Sequence, residues 1–285
     1  MRHRIFVSLC LGSAVALSAC SQTTDADVER AIDAVNVIDE SNLNDVMLQS
    51  ADPGEAVNYF ARATKEQPDR VDLQRGLALA LVRAKRPREA VQAWERLVSF
   101  PDSTAEDLIG YADALIRNGD WDTAEAQLDK IPPTYETFSR YRLEAMVADS
   151  NQEWKKADSF YEIAVGLTTR PASVLNNWGY SKLSRGEFAQ AEQLFGEALT
   201  YDPALFTAKN NLVLARGAQR KYDLPILPMS QTERAQLLHT LALSAIKQGD
   251  VSTGKSLLVD AIETHPQHFD AAVRSLEALE GNVRG

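Results

Sequence analysis

Reactive chemistry needs particular side chains gathered at short range, and this sequence offers few of them. Beyond its first twenty residues the histidines are His239, His265 and His268. His265-Pro266-Gln267-His268 is the spacing that most invites a metal. It falls at a junction between helical patterns, without a cysteine or a clear carboxylate set beside it, so solvated histidines are expected there. There is no glycine-rich phosphate loop, no nucleophile elbow and no zinc-binding helix motif. The carboxylates are spread over polar helix faces, where charge is the default. The chain is therefore expected not to be an enzyme and to need no cofactor or metal. Of its two cysteines, Cys10 lies inside an apolar run and Cys20 ends it.

That run is the first element to place. Arg2, His3 and Arg4 precede thirteen largely apolar residues, Ile5–Leu17. Such a run is too short to span a bilayer as a mature helix and reads as an export signal over residues 1–19. Leu17-Ser18-Ala19-Cys20 resembles the lipobox of bacterial lipoproteins. That resemblance implies cleavage before Cys20, a diacylglyceryl group on its thiol and acylation, for example by palmitate, of the new amino end. Several acyl chains anchor stably where one binds marginally. The other reading is an ordinary secretory signal with an incidental cysteine. Ser21, rather than aspartate, follows the cysteine. By resemblance to Gram-negative sorting rules this points to the periplasmic face of the outer membrane. Cleavage would take two arginines from the 30 basic residues, leaving 28 against 40 acidic ones and a net charge of −12. An acidic surface disfavours nucleic acid and anionic lipid as partners. Cys20 would remain as a lone cysteine, so no intramolecular disulfide is available.

Residues 20–51 form an acidic tether, in which Asp25, Asp27, Glu29, Asp33, Asp39, Glu40 and Asp45 face Arg30 alone. From Asp52 onward the pattern is helical and recurrent. Ala56, Ala90, Ala124, Ala157 and Ala191 are separated by 34, 34, 33 and 34 residues. Each is followed four positions later by a bulky apolar residue: Phe60, Trp94, Leu128, Tyr161 and Phe195. Trp121, Trp154 and Phe188 stand three positions before three of these alanines. A further copy reads Gly249, Val251, Gly254, Leu258, Ala261 and Pro266. A single amphipathic helix has no reason to repeat at this period, whereas helix hairpins stacked on one another do.

The clearest copy is Pro171–Pro203. Gly179, Gly186, Phe188, Ala191, Phe195, Ala198 and Pro203 match the tetratricopeptide repeat pattern, and the chain resembles that family over roughly residues 40–280. The resemblance implies an all-α fold, a right-handed tetratricopeptide superhelix (an α-solenoid) ending in a capping helix at Gln267–Leu279. The array occupies 52–220 and resumes at 232–285. Between them, 221–231 carries Pro225 and Pro228 among apolar residues, which forbids a helix and favours an extended segment packed on something. In this family the first helix of each hairpin lines a concave groove. Carried across by register, the groove positions include Asn176, Asn177 and Tyr180, then Asn210 and Asn211 one period later, with Arg75 and Arg142 at the positions equivalent to Asn176. Arg83 and Arg117, 34 apart, lie on the same face. Two readings stay open. These residues hold an extended, acidic or carboxylate-ended segment, or the arginines answer helix dipoles and the asparagines pack between repeats.

The lipobox, the repeat set and Asn176-Asn177-Trp178-Gly179-Tyr180 resemble the TadD lipoproteins of tight-adherence (Tad/Flp) pilus assembly. The resemblance implies a scaffold that binds protein or peptide partners, such as the pilus secretin or other assembly components. A general envelope scaffold for outer-membrane protein or cell-wall machinery is the second reading.

Overall fold

The computed structural model describes residues 43–283. The expected export signal, Cys20 and most of the expected acidic tether lie outside the described residues. Within them every regular element is α-helical and there is no strand.

The helices pair as hairpins. A short helix α1 (43–49) precedes α2 (Pro53–Glu66), and α3 (Val71–Arg83) precedes α4 (Pro87–Val98). Then come α5 (Ala105–Asn118) with α6 (Trp121–Leu128), α7 (Phe138–Ser150) with α8 (Trp154–Gly166), and α9 (Ala172–Ser184) with α10 (Phe188–Tyr201). From α3 onward each first helix is closed by a residue in the left-handed region: Lys85, Gly119, Gln152, Gly186 and Arg220, with φ between 57° and 84° and spaced 33 or 34 apart, then Gly249 at 84°. That conformation satisfies the last carbonyls of the helix while reversing the chain. Helix starts are equally local. Asp52 accepts from the Gly54 and Glu55 amides at 2.8 and 3.3 Å, and Thr104 with Asp107 forms a capping box.

The repeated alanines are where paired backbones meet: Ala56, Ala90, Ala124, Ala157 and Ala191 are all fully buried. The bulky residue four positions on fills the space beside them, and it also governs the next helix. A Cβ added to Gly76 would lie 2.2 Å from the Phe60 ring, and one added to Gly110 would lie 2.5 Å from the Trp94 ring. Gly76 and Gly110 are 34 apart, as are Phe60 and Trp94, so ring and glycine recur together. At the next step Leu128 replaces the ring, and Leu143 takes the corresponding place in the same core cluster.

The sixth hairpin is incomplete. Its first helix, α11 (Phe206–Ala218), lacks a partner, and the chain crosses instead through an extended segment to α12 (Gln231–Lys247). The apolar residues of that segment are used. Tyr222, Leu224 and Met229 pack on the C-terminal core and Leu227 on the neighbouring one, while Ile226 stays fully exposed. The buried Lys209 ties the segment down, donating to the Pro228 carbonyl at 2.7 Å and pairing with Glu233 at 3.0 Å. Helix α13 (Val251–Thr264) completes a last hairpin with α12, and α14 (Asp270–Val283) covers its end. That helix begins three residues later than its apolar pattern implies, because the His265 ring accepts from the Gln267 amide at 3.1 Å and holds a turn there. No described helix is long and apolar enough to cross a membrane.

Candidate functional site

Helices α7, α9 and α11 supply successive first-helix faces, and between them lies a groove of about 550 Å³. Asn176, Asn177 and Tyr180 from α9 line it, together with Asn211 and Thr207 from α11 and Met146 and Asp149 from α7. Trp121 and Trp154, the first residues of α6 and α8, complete the wall. Tyr180 is 58% exposed, a large ring left in solvent.

The asparagines form a pair, though not the one that register alone implies. The Asn211 amide donates to Asn176 Oδ1 at 3.1 Å, spanning two repeats. Asn210 points into the next depression, about 670 Å³, and accepts from the Thr240 hydroxyl at 2.8 Å. Asn210 and Asn211 are adjacent on α11, yet Asn211 lines the first groove and Asn210 the second. Asn177 contacts the Met146 sulfur at 3.8 Å.

None of the four arginines lines this groove. Arg75 reaches across to the buried Asp107 with two bonds of 2.6 and 2.8 Å. Burial works against the Asp107 carboxylate, but the Arg75 guanidinium and the Thr104 donors outweigh it and hold the carboxyl below the usual range. Arg142 pairs with Asp113 at 3.1 Å, and Arg117 pairs with the same carboxylate. Arg83 donates to the Met47, Leu48 and Ala51 carbonyls and so closes the C-terminus of α1. All four arginines are thus engaged within the protein, and none of them supplies a cation to this particular groove. For Arg75 and Arg142 the aspartate sits on the neighbouring first helix, whereas Arg117 shares Asp113 from within its own helix.

Two carboxylates near the groove have opposite electrostatics. Asp158 is opposed by burial, yet Arg185, Lys182 and the Trp178 indole donate to it and bring its carboxyl down to about 2. Asp149, at the foot of the groove, is pushed above the usual range by burial, although Ser181 and Tyr161 hydroxyls donate to it at 2.6 and 2.9 Å. Neither Asp149 nor the two tryptophans stood out in the sequence as site residues. Trp121 and Trp154 carry the repeat period and so read as packing markers. The histidines are dispersed in local contacts: His239 with Ser275 at 3.1 Å, His268 with Asp270 at 2.9 Å, and His265 stacked on Phe269. Among the described residues no three histidine, cysteine, aspartate or glutamate side chains form a group able to hold a metal.

A family model described as tetratricopeptide repeat matches residues 46–105. Solved structures extend the likeness along the chain. A tetratricopeptide repeat protein from Parabacteroides merdae superposes with a TM-score of 0.57 at 12% identity, covering 84% of this chain and 96% of that one. The fold is that of a tetratricopeptide-repeat solenoid. The C-terminal part of such a protein from Cytophaga hutchinsonii gives 0.52 at 15% identity over 82% of this solenoid and 98% of that chain. The Cut9–Hcn1 hetero-tetramer of the APC/C gives 0.60 at 15% identity, and there the solenoid covers 83% of its own length but only 48% of the other chain. No curated protein matches the sequence.

Proposed function

We propose that this solenoid is a non-enzymatic scaffold that holds an extended segment of a partner protein in the groove of α7, α9 and α11. The observation that carries this reading is the set of amide side chains there. Asn176, Asn177 and Asn211 stand together beside the exposed Tyr180, and amides offer both a donor and an acceptor to a peptide backbone. Asn176→Ala with Asn211→Ala should leave helicity and melting nearly unchanged. Each lost hydrogen bond costs about 0.5–1.5 kcal/mol net, so partner capture should weaken about five- to a hundredfold. Unchanged capture by the folded double variant would move the partner elsewhere.

The setting we infer is the periplasmic face of the outer membrane, with the chain anchored through Cys20 and assisting assembly or localisation of a Tad/Flp pilus secretion machine. Leu17-Ser18-Ala19-Cys20 and the following Ser21 support the anchor. Labelled palmitate should appear on the protein and vanish with Cys20→Ala; labelling that persists would refute the assignment. Site-specific cross-linking from position 180 in piliated cells should yield an adduct with the secretin or a neighbouring assembly component. Normal pilus assembly in cells lacking the protein would favour a general envelope scaffold instead.

A further inference from the structure

The groove has a chemical bias beyond its amides. Its lining includes four aromatic rings, Trp121, Trp154, Tyr161 and Tyr180, with the Met146 thioether, and Asp149 is the carboxylate among them. No lysine or arginine lines it. We infer that the groove takes a cationic side chain, arginine or lysine, carried by an extended peptide partner. This rests on the scaffold reading above and names the chemistry of its ligand.

Three observations converge on a cation. Asp149 receives only the Ser181 and Tyr161 hydroxyls, whereas an ionised carboxylate accepts about four hydrogen bonds. The nearby guanidinium groups are already committed. Arg142 is held by Asp113 at 3.1 Å, and Arg185 by Asp158 at 2.7 and 3.2 Å. Aromatic faces attract cations, most strongly at tryptophan, and the wall already shows such a contact: the Arg185 guanidinium lies 5.3 Å from the Trp154 ring centre. Charge complementarity runs the same way over the whole molecule, whose formal net charge is −10. An acidic or carboxylate-ended segment would meet Asp149 with no free cation lining the groove to offset it.

The test uses the full chain with its four tryptophan indoles labelled with nitrogen-15. The probes are blocked heptapeptides, acetyl-Ser-Ala-Gly-X-Gly-Ala-Ser-amide, with X as arginine, lysine, norleucine or glutamate. Arginine and lysine peptides should shift the Trp121 and Trp154 signals and bind about tenfold more tightly than the norleucine peptide, with glutamate weakest. Asp149→Asn should erase that preference and leave norleucine binding as it was. Tyr180→Ala, an exposed change, should weaken the arginine peptide without altering the melt. Norleucine or glutamate binding as tightly as arginine at the same two indoles would overturn the cation assignment and leave the scaffold reading standing. So would a cation preference that survives in folded Asp149→Asn. No shift at either indole with any peptide would overturn the inference, while cross-linking from position 180 would still judge the scaffold reading separately.

Discussion

Asp158 and Asp149 stabilise or strain the same helix interface according to what surrounds each. Removing the Asp158 charge leaves Lys182 and Arg185, which are 9% and 7% exposed, with Glu187 as their remaining carboxylate partner. Asp158→Asn should destabilise the protein by roughly 1–2 kcal/mol at neutral pH, solvent screening of this partly exposed group included. Its carboxyl is lowered in the folded state, so this stabilisation is present above about pH 4 and lost as pH falls through about 2. The gap between wild type and variant in denaturant melts should close over that interval. For Asp149 the sign reverses: a raised carboxyl makes the ionised form a liability as pH rises above its ordinary value. Asp149→Asn, which keeps an acceptor for one hydroxyl and can donate its amide N–H to the other, should change stability at neutral pH by less than about 1 kcal/mol. A large loss there, matching that of Asp158→Asn, would show that its charge is structural. Gln152 is a different case. It sits exposed at φ 60°, where a side chain costs about 1–2 kcal/mol. Glycine gives back about 0.5–1 kcal/mol of that in lost chain entropy, so Gln152→Gly should raise stability by about 0.5–1 kcal/mol. The left-handed positions at Gly186 and Gly119 were readable from glycine itself; those at Gln152, Lys85 and Arg220 follow only from their repeat spacing.

At the scale of helices, the joints between repeats rest on matched sizes. Gly110 leaves room for the Trp94 ring, and a methyl there would come within 2.5 Å of it. Gly110→Ala should therefore destabilise by about 1–3 kcal/mol. Trp94→Leu in the same chain should restore part of that, giving a favourable coupling in a double-mutant cycle. Strict additivity would show that ring and glycine do not restrain one another. The extended segment after α11 depends on one buried ammonium. Lys209→Met removes the donor to the Pro228 carbonyl and the partner of Glu233. Hydrogen exchange at 222–230 should accelerate at least tenfold while α3 and α5 stay protected. Unchanged exchange would mean that Leu224, Leu227 and Met229 suffice to hold the segment. The apolar residues around Pro225 and Pro228 foretold packing of this stretch, but not the lysine, whose spacing from Glu233 matches no helical turn.

As a whole molecule the solenoid is close to one-dimensional, each hairpin touching its neighbours. Damage should therefore spread over a short range. Ala191→Leu overfills a fully buried contact and should cost about 1–3 kcal/mol. Loss of exchange protection should concentrate in α9, α10 and α11 and spare α2 and α3; a uniform loss along the chain would reveal a single cooperative body. The period of 33–34 residues, the small-then-bulky pattern and the proline-bearing break were all legible in the sequence, because each is a local steric demand that every hairpin must meet. The lining of the proposed groove was legible only in part. Register located Asn176, Asn177 and Tyr180, yet it could not foresee that Asn176 meets Asn211 while Asn210 turns to Thr240. Nor could it foresee that Arg75 and Arg142 find Asp107 and Asp113. Those partners lie 32 and 29 residues away, and the asparagines 35 apart, so no single spacing encodes them. Stacking repeats is a backbone property fixed by small residues at a constant interval. Which side chains then meet across a joint depends on the rotation between helices and on rotamers, and these exist only once the superhelix is built.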